Sequence, residues 1–316
     1  MLTGTPTFEL SMATDYARDT GNAEPSLRRI AEAGFRHIQW IHHWNHDFIY
    51  TRSEIEHIAG LMNDLGLSLY DIHAPTGAEK NWFSTVEYQR LAGVEIMKNR
   101  VDMCATLGGS VIVAHIPELI PENVRSWRQL KRSLDELEDF CCGKGVRIAV
   151  ENRPHDQFNG IHELFSDHDP QFIGLCYDSG HGNIGGKGLQ HLDSVKERLI
   201  SVHLHDNDGL ADQHKPVFTG TVDWEELARL VSESPYEEFL TFETDMKLSG
   251  MEDEDLFLKR AYSDGLALLK MIWKPQAARA GHDCREHCDE PQEGATAWAA
   301  LQRRRRPGTR ILESAR

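Results

Sequence analysis

This 316-residue chain has no long apolar run, and we expect neither a signal peptide nor a disulfide pattern. No apolar stretch is long enough to span a membrane, which excludes the transmembrane classes. The N-terminal octet MLTGTPTF has neither a basic nor an apolar segment, so no signal peptide is evident. The cysteines lack the spacing of secreted domains, and we expect a reduced, cytoplasmic protein. They are Cys104, Cys141, Cys142, Cys176, Cys284 and Cys288.

Positive charge is also scarce. The chain has 34 Lys and Arg residues against 50 Asp and Glu residues, for a formal net charge of -16. This balance disfavours nonspecific binding to nucleic-acid phosphates, which basic surfaces normally drive. A bound cluster of divalent cations would reverse the field locally, so net charge alone does not exclude a nucleic-acid substrate.

Between residues 8 and 273 the chain alternates strand-like and helix-like segments. The predicted strands cover residues 8–12, 37–41, 67–72, 110–114, 146–150, 172–177, a run from 199, and 239–242. The predicted helices cover residues 26–33, 53–65, 86–107, 126–142, 161–165, 192–198, a segment capped by Asp223 that reaches 233, and 253–273. Continuous apolar strands between amphipathic helices indicate a parallel sheet buried on both faces. Eight such units predict the α/β class and a (β/α)₈ TIM barrel, with a doubly wound open sheet as the alternative.

The composition changes after the predicted last helix. We expect residues 1–274 to form the barrel and residues 275–316 to form a disordered tail rich in Ala, Arg, Glu and Gly. The tail carries His282, Cys284, His287 and Cys288, but their spacing matches no zinc pattern. Its run of four arginines at 303–306 is too short to indicate nucleic-acid binding.

Metal-binding residue types recur where the predicted strands end. The stretch 199–214 holds His203, His205, Asp206, Asp208, Asp212 and His214. Further residues of these types follow five other strands, and they are His73, His115, Glu151, Asp178, His181 and Glu243. In a barrel, chemistry takes place where strands end and βα loops begin. Imidazole and carboxylate groups gathered there predict a divalent metal site.

This set of residues resembles the xylose-isomerase-like barrel superfamily over residues 8–273. That superfamily holds sugar phosphate isomerases and epimerases, and also endonuclease-IV-type apurinic-site nucleases. In the ketose epimerase branch, the resemblance implies that Glu151, Asp178, His203 and Glu243 bind one Mn²⁺-like ion. It also implies that Glu151 and Glu243 act as the acid and base. In the nuclease branch, the same four positions belong to a three-zinc cluster, whose additional ligands would be His73, His115, His181, Asp212 and His214.

Two reaction classes therefore remain open. The leading hypothesis is isomerisation or epimerisation of a small sugar or sugar phosphate with one to three Mn²⁺ or Zn²⁺ ions. The alternative is hydrolysis of apurinic DNA by a three-zinc cluster. The core lacks the basic, aromatic-interleaved loops that would bind a duplex, so we consider a nucleic-acid partner unlikely.

Further alternatives are a non-catalytic metal- or sugar-binding barrel and a metal-dependent oxygenase. The sequence does not determine the oligomeric state, and a homo-oligomer is compatible with it. Candidate substrate-binding residues combine aromatic or imidazole surfaces for a sugar with cations for a phosphate or carboxylate group. They are His43, Trp44, Trp82, Arg153, Lys187 and Lys215.

Overall fold

The computed structural model describes residues 8–17, 21–77, 79–155 and 157–272. Eight parallel strands pair in chain order, and β8 pairs with β1 to close the barrel. The strands are β1 Glu9–Ala13, β2 His37–Trp40, β3 Ser68–His73, β4 Val111–Ala114, β5 Arg147–Glu151, β6 Ile173–Asp178, β7 Leu199–Leu204 and β8 Phe239–Phe242. The predicted α/β class and TIM barrel are confirmed. The predicted tail at 275–316 lies outside the described residues.

Helices connect the strands of the barrel. They are α1 Glu24–Ala33, α2 Arg52–Leu65, α3 Glu87–Thr106, α4 Val124–Lys144, α5 Asn159–Asp167, α6 Ser179–Asn183, α7 Gly188–Val195, α8 Trp224–Glu233, α9 Met246–Ser249 and α10 Glu254–Ile272. Single 3₁₀ turns occur at Pro121–Asn123 and Lys196–Arg198. Among the described residues, no helix has the length and apolar character needed to cross a membrane.

Local sequence signals explain most of these boundaries. Helix α2 begins with a capping box, in which Thr51 and Glu54 satisfy each other's backbone N–H groups. It ends at Gly66, whose φ of 64° lies in the left-handed region that favours glycine. Strands β4, β6 and β7 are buried along their whole length, as expected for a sheet that is covered on both faces.

Three details differ from the sequence-based expectation. Helix α4 passes through Gly143, where it was predicted to stop, and ends at Gly145 in the left-handed conformation. Helix α7 begins four residues before the predicted start of its helix, at Gly188, and the last predicted turn is 3₁₀. The short helix α6 directly after β6 was not predicted, because it has too few residues to show a helical period.

A buried arginine, Arg90, links helices α3 and α4 on the outside of the barrel. The side chain of Arg90 in α3 is only 1% exposed, and its guanidinium lies 2.9 Å from Glu87 and 2.8 Å from Glu136 in α4. It also donates to Ser133 Oγ at 2.8 Å, and Ser133 in turn donates to the carbonyl of Trp82. These contacts join α3, α4 and the loop after β3 on the outside of the barrel.

Candidate metal centre and its cavity

The predicted ligands meet at one end of the barrel. His73, Glu151 and Asp178 are the last residues of their strands, and His115 and Glu243 directly follow theirs. All of these except Asp178 line a cavity of ≈ 250 Å³, here called the main cavity. Its walls are formed by Asp15, Tyr16, Ile41, Trp44, His73, His115, Glu151, His181, Asp212, His214, Glu243, Thr244 and Asp245.

Four of the predicted ligands form a buried cluster, which we call the four-ligand group. It consists of Glu151, Asp178, His203 and Glu243, whose ligand atoms all lie within 4.8 Å of one another. Nδ1 of His203 lies 2.7 Å from Glu151 Oε1 and 2.8 Å from Glu243 Oε2. None of the four is more than 8% exposed. Three carboxylates and one imidazole in such a cluster have the chemistry of a site for a divalent cation.

The side-chain amide of Gln39 contacts the imidazole of His203 at Nε2, the nitrogen that faces away from the two glutamates. The amide oxygen of Gln39 is buried and finds no partner among the described residues. With this oxygen turned toward the ring, Gln39 would accept the Nε2–H bond and leave Nδ1 as the ligand atom. A partner on the outer nitrogen is the usual arrangement around metal-binding histidines, so the group fits a metal.

The two glutamates of the four-ligand group are ionised. Burial alone would raise the pKa of Glu151, but His203 and His115 outweigh it and hold this pKa well below its usual range. Burial opposes ionisation of Glu243 too, yet His203 lowers its pKa to about 2. Both carboxylates are therefore available as ligands or as proton acceptors near neutral pH.

A second cluster lies on the wall of the main cavity and consists of His181, Asp212 and His214, which we call the rim triad. Nε2 of His181 lies 3.1 Å from Asp212, and Nε2 of His214 lies 3.3 Å from it. Each imidazole uses Nδ1 to bond a backbone carbonyl, that of Asn152 at 2.9 Å and that of Glu243 at 2.7 Å. Nδ1–H donation directs both Nε2 atoms toward Asp212, so that the three side chains could share one metal ion.

His73 and His115 form a third group with Glu151, but the two rings differ. Nδ1 of His73 bonds the carbonyl of Ala74 at 2.9 Å, which directs Nε2 into the cavity. Nδ1 of His115 instead faces a guanidinium nitrogen of Arg153 at 3.3 Å. Because guanidinium only donates, His115 accepts there and carries its proton on Nε2, 2.6 Å from Glu151. His115 is thus arranged as a hydrogen-bond donor in this structure.

A family model described as the xylose isomerase-like TIM barrel matches residues 27–270. The chain belongs to this family. The protein y4fM of Sinorhizobium fredii, described as uncharacterised, is 32% identical over 277 residues, which cover 78% of this chain and 88% of that protein. Fructoselysine 3-epimerase of Shigella flexneri is 23% identical over 193 residues, covering 58% of this chain and 69% of that protein.

Among solved structures, L-ribulose 3-epimerase superposes with a TM-score of 0.72 at 18% identity, covering 88% of this chain and all of that one, 100%. At this identity the structural likeness shows the shared fold. The resemblance inferred from the strand-end ligands is thereby confirmed, and the relatives of this xylose isomerase-like barrel include sugar epimerases.

Several residues around the centre of this xylose isomerase-like barrel were not assigned from the sequence. His205 bonds Asp178 at 3.0 Å, and Asn152 pairs with the backbone of Asp178 in both directions. A Cβ on Gly180 would approach the ring of His205 to 2.0 Å, so only glycine allows α6 to pack there. Asn152 directly follows Glu151, and His205 was noted in the 199–214 stretch but given no ligand role; these were the available signals.

Asp15 is a cavity-lining residue that was not predicted from the sequence. It lines the main cavity two residues after β1, the one strand after which no site residue was predicted. Burial, together with the charge of Glu243, raises the pKa of Asp15 to about 7. A carboxyl group of this kind is able to donate a hydrogen bond to a ligand in the cavity near neutral pH.

The six predicted substrate-binding residues have different locations. Trp44 lines the main cavity, and its ring centroid lies 5.2 Å from that of His73. Arg153 lines an adjoining cavity, and His43 lines a separate one with Phe48 and Tyr50. Trp82, Lys187 and Lys215 line none of these three cavities. Trp82 is only 2% exposed, because the loop after β3 packs its indole into the core.

Proposed function

We propose that this chain is a divalent-metal-dependent sugar epimerase or isomerase that moves a carbon-bound proton with Glu151 and Glu243. The observation that carries the proposal is the pair of buried carboxylates that flank His203 Nδ1, with Glu151 at 2.7 Å and Glu243 at 2.8 Å. Such a pair suits both metal binding and general acid–base catalysis. The sugar epimerases among the relatives support the same reaction class.

A divalent ion held by the four-ligand group would act as a Lewis acid toward a carbonyl oxygen and an adjacent hydroxyl oxygen of the sugar. Three carboxylates with one imidazole favour Mn²⁺, whereas the rim triad, with two imidazoles, is better suited to Zn²⁺. One glutamate would accept the carbon-bound proton, and the other would return a proton to the substrate. Return to the same carbon epimerises the sugar, and return to the neighbouring carbon isomerises it.

The walls of the main cavity favour an uncharged sugar head group. Five carboxylates and four imidazoles line the cavity, and no Lys or Arg is found among its described lining residues. A phosphate group inside it would face these carboxylates with no Lys or Arg among the described lining residues to bind it, while the divalent ion would be engaged with the carbonyl and hydroxyl oxygens. Trp44 and Tyr16 offer aromatic surface for sugar C–H groups. We therefore place a neutral ketose, rather than a sugar phosphate, in the main cavity.

The decisive experiment is solvent exchange. Wild-type protein with Mn²⁺, Co²⁺ or Zn²⁺ is incubated with a panel of ketoses in D₂O, and deuterium on carbon is followed by NMR. We expect incorporation for the wild type and its loss in Glu151→Gln and in Glu243→Gln at metal saturation. Gln keeps an oxygen ligand but cannot accept the proton. Glu237→Gln, on the exposed turn before β8, is the matched control and should exchange like the wild type.

Hydrolysis of apurinic DNA is the second candidate, because all nine residues of the three-zinc pattern fall in three groups, two of which share Glu151, and seven of the nine line the main cavity. A duplex with an abasic site is tested in parallel, and metal content is measured for protein purified without added metal. Strand cleavage without exchange into any sugar, at about three ions per chain, would replace the epimerase proposal. About one ion per chain with ketose exchange supports it.

A further inference from the structure

A second cavity, of ≈ 160 Å³, adjoins the main cavity. Glu151 lines both, so the two spaces meet at the proposed catalytic carboxylate. The loops after β4 and β5 form the walls of this second cavity, which we call the side cavity. Its polar lining consists of Glu118, Glu151, Arg153, His155, Gln157 and Asn159.

The wall after β5 is held in a specific conformation. Arg153 and Gln157 pair as an antiparallel bridge. Between them His155 has a φ of 64°, a left-handed conformation that is unusual for a residue other than glycine. Its N–H group is anchored to the carbonyl of Ile184 at 2.8 Å. Gly160 then packs against Trp127, and a Cβ there would lie 2.8 Å from the indole. These contacts fix the described residues on either side of position 156 in this wall.

Charge distinguishes the two cavities. Arg153 is the only Lys or Arg among the described residues that line either of them. The one hydrogen bond described for its guanidinium is the 3.3 Å contact to Nδ1 of His115. A guanidinium has five N–H donors, so this contact leaves donors that can bind an anionic group in the side cavity. Gln157 and Asn159 add amide groups on the same wall.

Building on the proposed function, we propose that the side cavity binds a carboxylate-bearing substituent of the ketose, with Arg153 as the counter-charge. The sugar end would then occupy the main cavity, and the substituent would pass Glu151. Arginine binds carboxylates through paired N–H bonds. A phosphate dianion is the less favourable anion, because Glu118 and Glu151 line the same space and would repel its second charge.

The test compares three substrates that share one ketose. They are the neutral ketose, the same ketose with a carboxylate-bearing substituent, and the ketose phosphate. Arg153→Gln should raise KM for the carboxylate substrate about 10- to 100-fold, the loss expected for hydrogen bonds to a charged group. Because any effect through His115 would be common to all three substrates, KM for the neutral ketose should rise at least about 10-fold less than KM for the carboxylate substrate. Arg153→Lys should bring KM for the carboxylate substrate part of the way back to the wild-type value, since lysine keeps the charge but lacks the planar guanidinium.

Arg128→Gln, on the exposed face of α4, is the matched control, because it removes one exposed arginine that lines neither cavity. It should leave KM for all three substrates unchanged. An equal rise in KM for the neutral ketose in Arg153→Gln would show that Arg153 acts through His115, and would overturn the inference. Equal dependence of the phosphate and carboxylate substrates on Arg153 would overturn the choice of a carboxylate.

The two proposals fail in different ways. Exchange into the neutral ketose, without any effect of Arg153→Gln on the carboxylate substrate, rejects the side-cavity inference and keeps the epimerase. Absence of exchange with every ketose rejects the proposed reaction. In that case, calorimetry measures the affinity of the wild type and of Arg153→Gln for the carboxylate ketose. Equal affinities overturn the side-cavity inference, and an affinity at least 10-fold lower in Arg153→Gln supports it.

Discussion

The side-chain amide of Gln39 lies against Nε2 of His203, on the ring edge opposite the one that faces Glu151 and Glu243. Gln39 belongs to β2 and His203 to β7, so the contact crosses the interior of the barrel. An amide in this position controls which nitrogen of His203 carries the proton. The ring can bind a cation through Nδ1 only when that proton is on Nε2.

We therefore predict that Gln39→Leu weakens metal binding about 10- to 100-fold, the usual effect of losing the partner of a ligating histidine. Gln39→Glu keeps an acceptor for Nε2–H and should bind metal at least as well as Gln39→Leu does. Competition with a fluorescent chelator measures both affinities. Gln129→Leu, which removes an exposed amide on α4, serves as the control. Wild-type affinity in Gln39→Leu would show that Gln39 does not orient His203.

Metal addition should stabilise the barrel strongly. Without a cation, the three carboxylates of the four-ligand group repel one another in a buried space. Ligand at about 1,000 times its Kd adds about 4 kcal/mol to the free energy of unfolding, which corresponds to a rise in Tm on the order of 10 °C. Thermal unfolding with EDTA and with Mn²⁺ measures the shift. Asp178→Asn should lose most of it and Glu118→Gln should keep it. An unchanged Tm in the wild type would contradict a metal site.

The pH dependence of stability should carry a contribution from Asp15. Its pKa is raised from 3.8 to about 7 by burial and by the charge of Glu243. Because the pKa of Asp15 is higher in the folded state, its contribution to the free energy of unfolding is fully present below pH 3.8. This contribution is lost as the pH rises through about 7. In metal-free protein, the stability of Asp15→Asn relative to the wild type should thus rise between about pH 4 and 7, by at most about 4 kcal/mol, and then level off.

Urea unfolding in EDTA at a series of pH values measures this difference. The exposed residue Asp64 of α2 provides the control Asp64→Asn, for which the difference from wild type should not follow this course. A constant difference between wild type and Asp15→Asn across this range would show that Asp15 ionises like an ordinary aspartate.

Two arginines that bind the same glutamate should differ in their effect on stability. Arg90 and Arg132 both contact Glu87, but their side chains are 1% and 50% exposed, respectively. We expect Arg90→Met to lower the free energy of unfolding by about 2–3 kcal/mol, because Glu136 and Ser133 lose a buried partner. Arg132→Met should cost less than about 1 kcal/mol. Denaturant unfolding of both variants checks the order, and equal losses would contradict the role given to burial.

The barrel itself could be predicted from the sequence. Strands that are buried on both faces must be continuously apolar, and helices that cover them must be amphipathic. This alternation can be recognised from the sequence alone, and Gly34 and Gly66 mark the ends of two helices. The same logic located His73, His115, Glu151 and Glu243 at the strand ends, because a barrel brings the carboxyl ends of all its strands together.

The tertiary structure decided which of these side chains meet and how each is oriented. Gln39 and His203 are 164 residues apart, and only barrel closure brings them into contact. The tautomer of His115 depends on Arg153. The position of His181 depends on α6, whose five residues are too few to show a helical period in the sequence. Trp82 has the same aromatic character as Trp44 but is buried outside the cavity. Residue type and spacing determine the fold and the candidate ligands, whereas side-chain direction depends on register and packing between distant segments.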